Sequence, residues 1–222
     1  FTEGEARSVN DLLKAVGYVS RADGRRSAVL WNGATQSLGT LTALGHVNSE
    51  AYAINNDGLI TGVSTLSTNP ASAGRAFLYQ NGTMSDLGLL LGGTYSAGYA
   101  INDFGQVAGE ADRSDTPRAM LYTAGRMRDL NDIVFDSRDL VFASSGWVLG
   151  TARAINSGGT IVGTGQRNGR DRAFMAVPAW VIGKQIARPQ GSVPRKPEIE
   201  ILSGNSTDTA ENSFFWSDFE RK

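Results

Sequence analysis

The chain has 222 residues, of which 41% are hydrophobic and 19% are charged, with a formal net charge of −1 at pH 7. This length can form the core of one or two globular domains, and the near-neutral charge gives no electrostatic reason to expect nucleic acid or an anionic membrane as a partner. Cysteine is absent, which excludes disulfides and thiolate sites, and no apolar run reaches the roughly 20 residues of a membrane-spanning helix, so we predict no membrane insertion.

Two short motifs recur along the chain in a fixed order. The first is "ARSVND" at 6–11 and, more fully, "AYAINNDGLITG" at 51–62, "GYAINDFGQVAG" at 98–109 and "ARAINSGGTIVG" at 152–163. The second is "SAVLWNG" at 27–33, "RAFLYQNG" at 75–82, "RAMLYTAG" at 118–125 and "RAFMAVP" at 172–178. Successive copies are spaced 43 to 54 residues apart on the asparagines of the first motif and the alanines of the second. Because both landmarks keep step, the chain contains four repeats, with the period of propeller blades or helical-pair solenoids.

The local pattern within each repeat favours strands over helices. Short apolar stretches are joined by Asn, Asp and Gly turns, and Asn81-Gly82 is a strong hairpin signal. The Asn of "AIN" and the Gly three residues later suit a turn with one residue at positive φ. No stretch keeps a 3.6-residue apolar period. We therefore predict an all-β protein, a propeller-like array of four-stranded antiparallel meanders.

The repeats set the predicted domain boundaries. A repeat domain over 1–179 contains units at about 1–44, 45–91, 92–131 and 145–179, with an insertion at 132–144. Residues 180–222 form a C-terminal strand, a linker and an aromatic-ended tail. The last unit meets Pro178, which cannot donate a ladder hydrogen bond, so its fourth strand must come from the segment 180–187, which we favour, or from "EIEIL" at 198–202.

The motifs and their order resemble the HAF repeats of bacterial extracellular proteins. The resemblance covers roughly residues 6–179 and is clearest for "RAFLYQNGTMSDLGLLLGGTYSAGYAINDFGQVAGEA" at 75–111. It also includes the "GW" and "RAFMAVP" stretches of the last unit. It implies a secreted or cell-surface protein, generally without an assigned enzyme activity. The sequence begins mid-pattern at Phe1 without a secretory signal, so we expect a mature or cut product whose targeting segment has been removed, and the printed sequence does not show the Pro-rich sorting tail that members often carry.

Candidate ligand-binding residues come from the alignment of the repeats. The position two residues before the Ile or Val of the first motif is occupied by Arg7, Tyr52, Tyr99 and Arg153. On equivalent inner strands these side chains form a ring that suits sugars or carboxylates. The alternative is packing between the blades. Two further candidates, placed in the longer connections, are Tyr95 and Trp147.

The aromatic end of the chain is a candidate docking element. Phe214, Phe215 and Trp216 lie beside acidic residues. They could cover an apolar edge of the repeats or of a second copy, which would lead to self-association. The alternative is a loosely ordered tail with one anchoring patch.

No catalytic residue and no metal site is predicted. His46 is the single histidine and has no partner at motif spacing. The acidic groups 103, 110 and 112, and 132, 136 and 139, could hydrolyse a glycosidic bond, but they occupy turns where acids are common. Calcium at the Asn, Asp and Gly turns is a weaker alternative, and no other cofactor is expected.

The sequence leaves three functions open. The leading hypothesis is a non-catalytic extracellular protein with a binding or structural role and a glycan or protein ligand. The second is a secreted carbohydrate-active enzyme that uses loop carboxylates. The third is a subunit of an extracellular polymer, linked through its C-terminal tail.

Overall fold

The structure is a computed structural model that describes residues 2–67, 73–136, 146–178 and 199–202. The protein is all-β, as predicted, and the strands of each repeat pair antiparallel within one sheet. Helical structure in the described part is limited to two short 3-10 turns, Thr42–Leu44 and Leu130–Asp132. Among the described residues, no helix has the length and apolar character needed to cross a membrane.

The first two sheets are regular meanders in which consecutive strands pair. Sheet 1 contains β1 (Glu3–Val9), β2 (Ala15–Ser20), β3 (Arg26–Trp31) and β4 (Thr35–Gly39). Sheet 2 contains β5 (Asn48–Ile54), β6 (Ile60–Thr65), β7 (Gly74–Gln80) and β8 (Thr83–Asp86). The predicted hairpin at Asn81-Gly82 joins β7 to β8, with both residues at positive φ.

Sheet 3 repeats the meander and sheet 4 extends it to five strands. Sheet 3 contains β9 (Ser96–Ile101), β10 (Val107–Arg113), β11 (Thr116–Thr123) and β12 (Arg126–Asp129). Sheet 4 contains β13 (Val134–Asp136), β14 (Trp147–Ile155), β15 (Ile161–Arg167), β16 (Arg170–Pro178) and β17 (Ile199–Leu202), in the order β13-β17-β16-β15-β14.

The last sheet obtains its fourth strand from the C-terminal region. Strand β17 pairs antiparallel with β16 from Met175 to Pro178, which confirms that one of the two predicted segments completes the sheet. The preference for 180–187 was wrong for this position, because the second candidate holds it; residues 180–187 themselves lie outside the described part. Strand β13, within the predicted insertion, pairs parallel with β17.

The same turn follows the first strand of every repeat, namely β1, β5, β9 and β14, which we call the first strands. In each copy the backbone N–H three residues after the Asn donates to the Asn carbonyl, at 2.9 to 3.1 Å. The Asn side-chain oxygen accepts from the N–H four residues on, at 2.8 to 3.0 Å. The third residue has positive φ in all four copies, namely Leu13, Gly58, Gly105 and Gly159. The predicted turn is therefore confirmed, and its first copy uses a leucine.

The glycine that ends the first motif is needed for a different structural reason. Gly17, Gly62, Gly109 and Gly163 lie on the second strand of each sheet, opposite a β-bulge in the first strand. A Cβ at Gly62 would overlap the carbonyl oxygen of Glu50, and the other three glycines meet a first-strand carbonyl in the same way. These glycines permit the bulged strand to approach closely.

Each sheet packs on the next through an apolar cluster. Val16, Leu38, Ile60 and Phe77 belong to the cluster between sheets 1 and 2. Similar clusters join sheets 2 and 3 and sheets 3 and 4. The sheets therefore form a linear series of three junctions among the described residues.

A ladder of asparagine side chains crosses the same three junctions. The Nδ2 atoms of Asn10, Asn55 and Asn102 donate to the carbonyl oxygens of Asn55, Asn102 and Asn156, at 3.0, 2.9 and 3.0 Å respectively. The first three of these asparagines are buried, whereas Asn156 is exposed. Each "AIN" asparagine thus closes its own turn and also binds the next sheet.

No described residue covers the outer face of sheet 4. Val162 is 41% exposed, whereas the residues at its position in the other sheets, Val16, Thr61 and Ala108, are fully buried. Ala173 is likewise exposed, although its counterparts in β3, β7 and β11 are buried. The face that every earlier sheet presents to a successor is therefore open at the last one.

Candidate ligand-binding site

The four aligned residues occupy one structural position. Arg7, Tyr52, Tyr99 and Arg153 are each the extra residue of a β-bulge in the first strand of their sheet. A bulge redirects the side chain of its extra residue away from the regular pleat. The repeats thus present four side chains along one edge of the stacked sheets.

These side chains contact one another in chain order. The guanidinium carbon of Arg7 lies 4.6 Å from the ring centroid of Tyr52. The rings of Tyr52 and Tyr99 have centroids 5.4 Å apart and are tilted by 33°. The guanidinium carbon of Arg153 lies 5.1 Å from the centroid of Tyr99. The four residues, which we call the Arg–Tyr stack, place two phenol rings between two cations.

The Arg7 end of the Arg–Tyr stack is neutralised by glutamates. Arg7 Nε lies 3.0 Å from Glu5 Oε1, and Arg7 Nη1 lies 3.1 Å from Glu50 Oε2. Glu50, whose side chain is 10% exposed, also pairs with Arg26 at 2.7 Å. Both guanidiniums lie over the ring of Tyr18, at 5.1 and 4.5 Å. This end is therefore a rigid, charge-balanced network.

The Arg153 end is different. Arg153 is exposed and forms no ion pair among the described residues. Glu110, whose charge acts on Tyr99, accepts a hydrogen bond from the Thr151 hydroxyl. Arg153 therefore has guanidinium donors available for an external carboxylate or hydroxyl group.

Burial keeps the phenols of the site protonated. Removal from water raises the pKa of Tyr52, and the Glu50 charge raises it further. Burial also raises the pKa of Tyr99, with Glu110 as the second cause. The pKa of Tyr95, which adjoins Tyr99, is raised mainly by burial. The hydroxyl groups can thus act as hydrogen-bond donors throughout the neutral pH range.

The other predicted site residues fall in different surroundings. Tyr95 precedes β9 and lies half-buried beside the Arg–Tyr stack. Trp147 was wrongly placed in a loop: it begins β14, is 5% exposed and packs in the cluster between sheets 3 and 4. Its ring nitrogen has no hydrogen-bond partner in the part of the chain that the structure describes. The residues Phe214, Phe215 and Trp216 lie outside the described part.

His46 is a buried loop residue. It is 6% exposed, and burial lowers its pKa. Its backbone N–H donates to the Leu41 carbonyl at 3.3 Å, and its carbonyl accepts from the Thr40 hydroxyl at 2.9 Å. These contacts hold the connection between sheets 1 and 2.

The candidate carboxylates have structural partners. Asp112 accepts from the backbone N–H groups of Thr94 and Tyr95, at 2.7 and 2.6 Å. Asp103 accepts from the N–H of Asn56 at 3.1 Å. Asp132 pairs with Arg113, and the side chains of 136 and 139 lie outside the described part. No group of three acidic or histidine side chains that could hold a metal occurs in the described ranges.

Sequence reasoning missed Tyr18, Arg26 and Glu50 as parts of the site. They lie on β2, β3 and β5 and meet only because sheet 1 packs on sheet 2. Their positions vary from repeat to repeat, so the alignment of the motifs carries no signal for them. Glu50 lies two residues before Tyr52 on the same strand. Its short separation from this predicted site residue is a signal that could have identified it.

Comparison with known proteins does not extend these observations. No family model matches the chain. No curated protein shows significant sequence similarity to it.

Proposed function

We propose that the chain is an extracellular, non-catalytic repeat protein that binds a glycan along the Arg–Tyr stack. In this proposal the four sheets are the blades of an open, propeller-like array, and the bulged residues line its inner edge. The resemblance to HAF repeats supports the extracellular location and the repeat architecture. The same surface could also take a protein ligand with carboxylate or hydroxyl groups.

The observation that carries the proposal is the continuous contact from Arg7 to Arg153. Two half-buried tyrosine rings at a centroid distance of 5.4 Å combine apolar surface with hydroxyl tips, a combination that suits the faces and hydroxyls of sugars. Arg153 adds guanidinium donors that form no ion pair within the described ranges. The site has donors and a stacking surface, and the candidate carboxylates nearby are engaged in structural hydrogen bonds.

The test is binding to a panel of immobilised polysaccharides, followed by an assay for new reducing ends on each ligand bound. We expect binding without turnover. Tyr52→Ala and Tyr99→Ala should each weaken the bound glycan about tenfold, which is about 1.4 kcal/mol. Tyr52→Phe, which keeps the ring, should have a smaller effect.

Phe104→Ala is the matched control, because Phe104 is an aromatic residue 78% exposed outside the Arg–Tyr stack. Its binding should equal that of the unaltered protein. A collapse of Tm in both tyrosine variants would assign the stack to packing alone. Release of reducing ends would favour the alternative of a carbohydrate-active enzyme.

The uncovered face of sheet 4 favours a polymer subunit as the second candidate, with a second copy of this chain as the occupant. Ala173 is exposed where its counterparts are buried at a sheet junction. Light scattering should then show concentration-dependent assembly that Ala173→Asp abolishes. A molar mass by light scattering that stays that of the monomer at all concentrations excludes the polymer subunit.

A further inference from the structure

A second group of cations lies on sheet 4, outside the Arg–Tyr stack. Arg167 and Arg170 flank the Asn168-Gly169 turn between β15 and β16 and pair directly across the two strands. Arg172 follows two residues later, on the same face of β16. With Asn168, the three arginines line a surface concavity of about 390 Å³.

Sheet 3 shows what occupies this position elsewhere in the protein. Arg113 corresponds to Arg167, since each lies eleven residues after its motif asparagine. Arg113 Nη1 lies 3.0 Å from Asp132 Oδ2 and 3.6 Å from Asp129 Oδ2. Two carboxylates therefore neutralise this corner of sheet 3.

The arginine of the second motif also has a carboxylate as its partner in sheets 2 and 3. Arg118, the counterpart of Arg172, lies 3.9 Å from Asp129 Oδ2. In sheet 2 the equivalent Arg75 lies 3.1 Å from Asp86 Oδ2. Both aspartates sit on the fourth strand, opposite the residue two positions after the arginine.

The described part of sheet 4 lacks these carboxylates. Among the described residues, none of its three hairpin arginines belongs to an ion pair. The fourth strand pairs Leu202 with Met175, and the residue that follows Leu202 in the sequence is Ser203 rather than an acid. Asp171, which lies between Arg170 and Arg172 in the chain, accepts from Gln166 through its carboxylate and from Arg172 through its backbone carbonyl.

Within the described ranges the three guanidiniums have no counter-charge, and those of Arg167 and Arg170, which lie directly opposite each other in the strand pair, repel. An anionic ligand would remove that repulsion and form bidentate hydrogen bonds with the guanidinium forks. We propose that the concavity formed by Arg167, Arg170 and Arg172 is a carboxylate-binding site for an acidic glycan, with neighbouring uronate groups in the places that Asp129 and Asp132 fill in sheet 3. The choice of a glycan rests on the proposed function.

The probe is an oligogalacturonate, and its fully methyl-esterified form is the uncharged control of the same sugar. We expect the acid to bind more tightly than the ester and to lose affinity as salt is raised. Arg170→Gln combined with Arg172→Gln should weaken the acid at least tenfold and leave the ester unchanged. The corresponding double lysine variant should lie in between, because lysine keeps the charge but not the fork.

Arg126→Gln is the matched variant, because Arg126 is an exposed arginine of β12 without an ion pair in the described part. It should bind the acid like the unaltered protein. Equal binding of acid and ester, absence of acid binding, or full binding by the double glutamine variant each overturns the inference. Tighter binding of an aspartate-rich peptide than of the oligogalacturonate also overturns it.

The two proposals fail separately. Tyr52→Ala reports on the Arg–Tyr stack and should weaken acid and ester alike. If only Tyr52→Ala weakens binding, the glycan-binding proposal stands and the carboxylate site does not. If only the arginine variants matter, the carboxylate site stands and the stack is a packing element.

Discussion

At the scale of single residues, the four turns after the first strands differ in one position. Gly58, Gly105 and Gly159 occupy the left-handed region, and Leu13 does so with φ of 58°. Leu13 is 85% exposed, so its side chain contributes little burial that could offset the conformation. A left-handed conformation costs an L-residue roughly 1–2 kcal/mol.

We therefore predict that Leu13→Gly raises the free energy of unfolding by about 0.5–1 kcal/mol, after the entropy lost by glycine is subtracted. The reverse change, Gly58→Leu, should lower it by about 1 kcal/mol, because no atom lies within 4 Å of a Cβ at Gly58 and only the backbone is strained. Urea unfolding measures both. Leu12→Gly, at an exposed neighbour without positive φ, is the control and should destabilise slightly. Stabilisation by Leu12→Gly as well would assign the effect to lost exposed leucine rather than to φ.

At the scale of strands and sheets, the sequence allowed the meanders to be predicted well. The apolar stretches and the Asn81-Gly82 turn located the β7–β8 hairpin. The sequence did not reveal β13. This strand has only three residues, carries no local pattern and pairs with a strand more than sixty residues away. Alignment of the repeats found the four stack residues, yet the bulges that orient them are invisible in a period-two pattern.

The bulges make a strong prediction for the motif glycine. Gly62→Ala should lower the free energy of unfolding by about 2–4 kcal/mol, because its Cβ would overlap the Glu50 carbonyl and force β5 away from β6. It should also weaken any ligand of the Arg–Tyr stack, since Tyr52 is the bulged residue opposite.

Gly150→Ala is the matched control. Gly150 lies at another irregularity in a first strand, β14, but its Cβ would meet only the Thr164 carbonyl oxygen, at an ordinary 3.5 Å. Its stability should change by less than about 1 kcal/mol. Chemical denaturation of the two variants decides the matter, and equal losses would mean that the bulge does not require glycine.

At the scale of the whole molecule, the sheets are joined by the ladder of asparagine side chains. The sequence shows the repeated asparagines but not their role between the sheets. The repeated asparagines were predicted to form turns, and they do so. Their second role, donation to the next sheet, depends on how the sheets stack and could not be derived from any one repeat. The ladder also gives the series of sheets a direction, since each Nδ2 donates to the sheet that follows.

The asparagine ladder predicts that replacing Asn by Asp destabilises the protein more at position 55 than at position 156. Asn55→Asp keeps the oxygen that accepts from the Leu59 N–H but places a buried carboxylate oxygen 2.9 Å from the Asn102 carbonyl. The free energy of unfolding should fall by about 2–4 kcal/mol at pH 7. Asn156→Asp should cost less than about 1 kcal/mol, because Asn156 is exposed and its Nδ2 donates to no described residue.

The two variants should also differ in their pH dependence. Burial beside a carbonyl would raise the pKa of an aspartate at position 55 above its unfolded value of about 3.9. The protonated acid can donate to Asn102, so stability should be regained as pH falls through the raised pKa and lost again as pH rises. Urea unfolding at pH 4.5 and pH 7 tests this. The deficit of Asn55→Asp relative to Asn156→Asp should narrow at the lower pH; a deficit that stays constant or widens would contradict a role for the Asn55 amide as the donor that joins sheet 2 to sheet 3.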